Sequence, residues 1–194
     1  MDSVLLIVFS YLLGSILFGE HIAKLKGVDI RSVGSGNVGA TNVGRVLGRK
    51  YAVLVFLLDA FKGFFPILLS RLYFGLDSWT TFFVGLACVL GHMYPIFHDF
   101  RGGKGVATAS GVLLGVSPLT FLLSMIFWTL LVKLKGYVSL ASMGSSLFAT
   151  LLLLLQGYDY RVVFMSLFIT MLIVYRHKDN IKRLLEGTEH RVRL

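Results

Sequence analysis

Seven apolar runs, at about 4–22, 51–73, 79–97, 106–116, 119–132, 137–155 and 162–175, fill most of the 194-residue chain, with short polar segments between them. No soluble fold accommodates that pattern. A soluble domain must turn a polar shell toward water. With 56% of its residues hydrophobic, 13% aromatic and only 15% charged, this chain has too few polar residues to cover a core of that size. About 20 apolar residues cross the hydrocarbon of a bilayer, so the runs read as transmembrane helices. The length allows one helical bundle, a single domain over 1–194, without a separate soluble domain. The first run has neither a basic segment before it nor a small-residue cleavage site. It reads as a retained helix, not a signal peptide.

The number of spans turns on the runs at 106–116 and 119–132, each short for a single crossing. Read together as one helix they give six spans. Read apart, with a turn at Ser117-Pro118, they give seven; proline restricts the residue before it and cannot continue the hydrogen-bond ladder. Charge decides between the counts. With seven spans and the N-terminus outside, 16 of the 19 Lys and Arg residues, from Lys24 to Arg193, gather on one side, and only Arg71 and Arg161 lie on the other. A bias of that kind marks the cytoplasmic side. Six spans would put Lys133 and Lys135 outside and separate the C-terminal tail from the first two polar loops. The predicted fold class is an all-α integral membrane protein of seven transmembrane helices, some short, with its N-terminus outside and its C-terminus cytoplasmic. The outer turns are then brief, whereas the inner segments 24–50, 98–105 and 176–194 are long and rich in polar groups, so function belongs on the cytoplasmic face. The net charge of +9 would suggest nucleic acid in a soluble chain. Here the cations sit between apolar spans, and nucleic acid is not the expected partner. Cys88 is alone in an apolar run, which rules out a disulfide framework.

The first inner segment contains GSGNVGATNVGR (34–45). Its first six residues fit the dinucleotide fingerprint G-x-G-x-x-G, and Asp59 falls 20 residues later. That fingerprint needs a preceding strand and a βαβ unit, whereas Asp59 lies inside an apolar helix. A phosphate site does not need that fold. Glycines let backbone N–H groups converge on an anion, Ser35 and Thr41 add hydroxyls, and Arg45 offers a planar fork. A flexible polar turn fits the same residues.

The second inner segment, HDFRGGKG (98–105), brings glycines and Lys104 to the start of a helix, where N–H groups and the dipole favour an anion. It is not a Walker loop, because His98 and Gly105 stand where that motif needs Gly and Ser or Thr. Lys104 also reads as a plain positive-inside residue. In the third segment, 181–186 has the pattern of an interfacial amphipathic helix, while His177 and Asn180 share a face at i, i+3 and can point into a site. Within the second span Asp59 and Lys62 are three apart and can pair, as either alone would be costly there. Ser139, Ser142, Ser145 and Ser146 form a small polar stripe; packing explains most of it, and Ser142 lies close enough to the cytoplasmic end to touch a ligand. The five histidines are scattered, so no metal site is expected. There is no Gly-x-Ser-x-Gly elbow and no His followed five residues later by Asp.

Three such segments in a small seven-span chain resemble a known family. GSGNVGATNVGR (34–45), GHMYPIFHDFRGGKGVAT (91–108) and RHKDNIKRLLEGTEHR (176–191) look like the three signature motifs of the bacterial acyl-phosphate:glycerol-3-phosphate acyltransferases, and LLDAFKG (57–63) resembles that family's second helix. The resemblance spans the whole chain. It implies transfer of a fatty acyl group from acyl phosphate, not acyl-CoA, to the sn-1 hydroxyl of glycerol 3-phosphate. The products would be lysophosphatidic acid and phosphate, as the first step of phospholipid synthesis. It further implies no metal and no cofactor, a location in the bacterial inner membrane among membrane lipids, and an active site on the cytoplasmic face; the expected state is a monomer.

Carried over by motif, the resemblance assigns phosphate binding to Ser35, Arg45 and Lys104, and orientation of the glycerol backbone to His177, Asn180 and Ser142. Asn37, Thr41 and Asn42 would shape the first loop, and backbone N–H groups around Gly102 and Gly103 would hold the acyl phosphate or its oxyanion. The catalytic set is then Ser35, Arg45, Lys104, His177 and Asn180. Two phosphorylated substrates ask for adjacent anion sites, and a mixed anhydride already carries a good leaving group. The base is either His177 or a substrate phosphate oxygen. Two other classes remain to be weighed. A phosphate or organophosphate transporter would want polar positions and broken helices at the midplane, where only Asp59 and Lys62 qualify. A lipid-binding scaffold would explain a basic face but not the Ser, Asn and Gly pattern.

Overall fold

The apolar runs fold as helices, and four of them begin after a residue whose side chain caps the first turn. The structure is a computed structural model describing residues 2–192, so Arg193, counted above among the inner cations, lies outside the described residues. The first run is two helices, α1 (Ser3–Gly14) and α2 (Phe18–Leu25), joined at residues 15–17. The first inner loop leads to α3 (Ala40–Leu47), followed by α4 (Arg49–Phe74) and α5 (Trp79–Met93). A 3-10 turn at Ile96–His98 precedes α6 (Val106–Val116). Then come α7 (Pro118–Lys135), α8 (Val138–Leu155), α9 (Tyr160–Arg176) and α10 (Lys178–Leu185). Asp2, Ser78, Ser117 and Asp159 cap α1, α5, α7 and α9, each accepting a backbone N–H of the first turn with its side-chain oxygen. The break expected at Ser117-Pro118 is present: α6 ends before Ser117 and α7 starts on Pro118.

Among the described residues, five segments are long and apolar enough to cross a membrane: Ser3–Leu25, Arg49–Phe74, Trp79–His98, Pro118–Lys135 and Val138–Leu155. A sixth is the pair α9 and α10, which meet at an angle of 58°. The 11 residues of α6 reach about 16 Å, half of a bilayer's hydrocarbon. Close approach of backbones compensates for that shortness. On Gly63 of α4 a Cβ would strike the Thr108 carbonyl of α6, and on Gly111 of α6 it would strike the Ala60 carbonyl of α4. Gly14 of α1 and Gly91 of α5 make the same kind of contact. Small residues set this distance where lipid supplies no hydrophobic drive between helices. Leucines and aromatics such as Leu5, Leu57, Phe61, Leu122, Leu155 and Phe164 remain exposed around the bundle, an apolar belt.

The buried cation within the spans is surrounded by polar groups, whereas the Thr108, Ser124 and Ser145 hydroxyls have no hydrogen-bond partner. Lys62 of α4 pairs with Asp59 at 2.7 Å, as their spacing predicts. It also donates to the Ile16 carbonyl at the α1–α2 joint and to His92 Nδ1 of α5. The main core joins α1, α4, α5, α6, α8 and α9 around residues such as Ile67, Val84, Met93 and Ile173. A second, small core of Leu17, Ala23, Ile30, Val38, Val43 and Val55 sits beneath the first inner loop. The buried Leu, Ile and Val side chains contribute about 2 kcal/mol each. Together they fasten that loop to α4.

Candidate active site

At the end of the bundle where α9 stops and α6 begins, a cleft of about 290 Å³ opens, lined by Ser35, Gly36 and Asn37 from the first loop and by Tyr94, Gly102 and Lys104 from the second. The rest of the wall comes from the third segment: Tyr175, Arg176, Lys178, Asp179, Asn180 and Arg183. Three segments far apart in sequence therefore meet, and four of the lining residues are cationic.

The first loop is shaped by Asn42. Buried in the first turn of α3, its Oδ1 accepts the Ser35 N–H at 2.8 Å, and its amide donates to the Ile30 and Val33 carbonyls. Gly34 and Gly36 take positive φ, and a Cβ on Gly34 would overlap the Asn42 amide. Asn37 accepts the Gly39 N–H at 2.8 Å. Ser35 is exposed at the rim of the cleft.

The second loop is held from outside. The N–H groups of Gly102 and Gly103 donate to the Met93 and His92 carbonyls at the end of α5. Arg176 donates to both of their carbonyls, at 2.8 and 3.2 Å, with its guanidinium over the Tyr94 ring. Arg31, paired with Glu20 at 2.5 Å, donates to the Arg101 carbonyl. Lys104, next in sequence, donates to Asn180 Oδ1. The Asn180 amide donates to Glu189 Oε1 at 2.6 Å, which also accepts from Ser139 at 2.7 Å, and Arg183 Nε reaches Glu189 Oε2 at 2.8 Å.

Charges in this network shift one another. Burial, with Arg183 and Arg45 adding repulsion and Glu189 opposing, brings the Lys104 ammonium down to about 8. Burial and then the Lys104 charge bring His177 down to about 4, so its ring is neutral near pH 7. Its Nδ1–H donates to the Ile173 carbonyl at 2.8 Å, which leaves Nε2 as the acceptor. Burial alone would raise the Glu189 carboxyl; the bonds from Asn180, Ser139 and Arg183 and the charge of Arg183 outweigh it and hold the group low. Arg45 is lowered first by desolvation, with Arg183 adding and Glu189 opposing, which sets it within electrostatic reach of both.

Of the residues predicted for the site, Ser35, Asn37, Gly102, Lys104 and Asn180 line one cleft. Arg45 and Thr41 are exposed on α3 and do not line it; His177 is buried behind it. Asn42 shapes the first loop as expected, and because it is buried with its amide engaged inside the loop it does not line the cleft. Two expectations need correction. The Gly102 and Gly103 N–H groups are already bonded to α5 and are not free to cradle an anion. Ser142 is buried and accepts from Trp128 of α7; the α8 serine that reaches the polar network is Ser139. Glu189, Arg176, Arg183 and Ser139 were missed. The first three stand within the third motif, where charge alone did not separate a network residue from a positive-inside cation.

The model of the family described as glycerol-3-phosphate acyltransferase matches residues 4–187. The chain belongs to the glycerol-3-phosphate acyltransferase family. Among similar members, the Glycerol-3-phosphate acyltransferase of Aquifex aeolicus is 59% identical over 98% of this chain and 100% of its own. The one from Hydrogenobaculum is 49% identical over 96% and 95%. Among solved structures the chain is similar to PlsY (YgiH), described as an integral membrane glycerol 3-phosphate acyltransferase. Its glycerol 3-phosphate form matches with a TM-score of 0.97 at 58% identity, over 98% of this chain and 96% of that one. Its lysophosphatidic acid form matches at 0.95 and 57%, over 98% and 95%. This member of the family is thus an all-helical, multi-pass membrane protein.

Proposed function

We propose that this chain transfers a fatty acyl group from acyl phosphate to the sn-1 hydroxyl of glycerol 3-phosphate, releasing lysophosphatidic acid and phosphate. One observation carries the reading: a relative 58% identical, matching nearly the whole chain, has crystal structures in forms with glycerol 3-phosphate and with lysophosphatidic acid, the acceptor and product of such a transfer. The cleft suits that chemistry. Lys104, Arg176, Lys178 and Arg183 supply positive charge for phosphorylated substrates, and exposed apolar side chains such as Tyr175 stand at its edge for an acyl chain.

In this reading Lys104 and Ser35 hold phosphate, with Arg45 swinging in from α3. Asn180, its Oδ1 on Lys104 and its amide on Glu189, is the fixed point for the glycerol backbone. His177 is neutral and offers Nε2 to a substrate hydroxyl, and at about 4 it is a weak base. A substrate phosphate oxygen then takes the sn-1 hydroxyl proton, the sn-1 oxygen forms the new ester bond to the acyl carbon, and the bond from that carbon to the phosphate oxygen breaks, its electrons leaving with phosphate. Catalysis is positioning plus anion stabilisation.

Seven crossings complete the proposal, with α6 as a short one braced against α4, the N-terminus outside and the C-terminus with the cleft on the cytoplasmic side of the bacterial inner membrane. The enzyme acts as a single-domain monomer among membrane lipids. The transport reading gains nothing, because Lys62 is occupied by Asp59, His92 and the Ile16 carbonyl rather than opening onto a path. The test is acyl transfer by the detergent-solubilised protein to labelled glycerol 3-phosphate, with acyl phosphate and acyl-CoA offered separately. Product is expected with acyl phosphate alone, and its loss in Lys104→Ala ties the reaction to the cleft. Folded protein that makes none with either donor overturns the reading.

A further inference from the structure

The cleft's floor rests on a group of side chains that the proposed chemistry does not use. Lys62 of α4 is fully buried: it forms an ion pair with Asp59 Oδ1 at 2.7 Å and donates to the Ile16 carbonyl at 2.6 Å and to His92 Nδ1 at 2.9 Å. An ammonium donating into Nδ1 leaves the imidazole proton on Nε2. That edge of the ring faces the second loop, since a Cβ on Gly103 would overlap Nε2. The His92 carbonyl meanwhile accepts the Gly103 N–H at 3.0 Å. One residue of α5 therefore meets Gly103 with both backbone and ring, and Lys104 is the next residue. A burial so complete is costly to build and to break. For a bundle needing only stability, apolar side chains of similar volume would serve.

We propose that His92 is a positioning residue for Lys104. The Asp59–Lys62 pair fixes the ring's tautomer and orientation, and the Nε2–H edge is the wall against which the Gly103 backbone is seated. The ion pair inside the span thereby sets where the Lys104 ammonium stands in the cleft. This rests on the acyltransferase reading of that cleft, and the requirement for glycine at 103 follows directly, because any side chain there would push the loop off the ring.

Two amides separate positioning from mere satisfaction of Lys62. Asparagine at 92 places an oxygen where Nδ1 stands, satisfies Lys62 and leaves the Gly103 side empty. Glutamine reaches farther and places an N–H where Nε2 stands. The measurement is kcat and KM for glycerol 3-phosphate in detergent, with folding checked by size-exclusion chromatography and thermal melting. His92→Asn is expected to raise KM about tenfold or more, as a displaced binding group does, with little change in melting. His92→Gln should stay within about threefold of the wild type. The same KM rise is expected from Gly103→Ala, which presses on this contact without altering a span. Equal KM values for His92→Asn and the wild type, or an Asn variant better than the Gln one, overturn the proposal. If both position-92 variants fail to fold, Gly103→Ala decides: an unchanged KM overturns it. Nitrogen-15 spectra of labelled histidine should show His92 protonated on Nε2 only, and proton on Nδ1 would also overturn it. A wild type inactive with acyl phosphate is the separate failure of the functional reading, and the spectrum still reports on the ring.

Discussion

The two glycine-rich loops that face the cleft are held by opposite means. The first is held from within: Asn42 binds Ser35, Ile30 and Val33, and a private core of Val38, Val43 and Val55 lies beneath it. The second has turn bonds of its own only before Gly102. Gly102 and Gly103 carry no side chains, and their polar groups go to α5 and to Arg176 at the end of α9. The first is a small folding unit, whereas the second transmits the positions of two helices to Lys104. Damage to the first should therefore appear in stability and activity together, and damage to the second in substrate binding.

The sharpest way to break that contrast is Asn42→Ala. It removes three hydrogen bonds from a buried site and leaves the Ser35 N–H without its acceptor, a loss of about 3 kcal/mol. Thermal melting in detergent should fall clearly, and acyl transfer should drop by about 100-fold as the loop loosens. Normal melting with lost activity would mean that Asn42 touches substrate after all. Next comes Arg176→Ala, which frees the Gly102 and Gly103 carbonyls. KM for glycerol 3-phosphate should rise about tenfold to 100-fold with little change in melting. Arg176→Lys should recover only part, since a single ammonium does not reproduce a planar two-pronged contact. A large melting loss in Arg176→Ala would show that the second loop supports the fold as well.

Much of the fold was legible from the sequence and rather less of the site. Helix starts at Ser117-Pro118 and the Asp59–Lys62 pair follow from local rules of capping, proline geometry and helical spacing. The first span's division at residues 15–17 was not legible, as the chain there stays apolar and the break is stabilised by Lys62, 46 positions away. The motifs brought the right segments together, but not which atoms remain free. Gly102 and Gly103 look like an anion nest until α5 is seen to take their N–H groups. Glu189 reads as one acid in a basic tail, and only folding sets it on Asn180, Ser139 and Arg183.

A smaller effect is expected from pH. In the folded state Lys104 lies at about 8, below its ordinary 10.5. Its burial therefore opposes folding while it is charged in both states, and this opposition fades as pH rises from about 8 through 10.5. Binding of a phosphate runs the other way, because the anion needs the ammonium. KM for glycerol 3-phosphate should be flat from pH 7 to about 8 and then rise, up to about tenfold by pH 9, with proton uptake on binding above pH 8. His177, at about 4, should add no inflection between pH 6 and 8. A kcat inflection near 6.5 that vanishes in His177→Gln would restore it as the base.

The smallest change tests the first loop's self-sufficiency at a single bond. Asn37 combines both roles, its Oδ1 accepting the Gly39 N–H while the residue lines the cleft. Asn37→Ala removes one turn bond and should cost about 1 kcal/mol. Asn37→Asp keeps the acceptor and so the turn, but adds negative charge where phosphate is expected to bind. If the loop is held from within by many contacts, Asn37→Ala should lower melting slightly with KM nearly unchanged. Asn37→Asp should then do the reverse, leaving melting intact and raising KM several-fold, more at low salt than at high. Equal KM values in both variants would place the phosphate away from Asn37, on the Lys104 side of the cleft. A melting loss as large as that of Asn42→Ala would show that the loop hangs on every one of its bonds, and the contrast with the second loop would then dissolve.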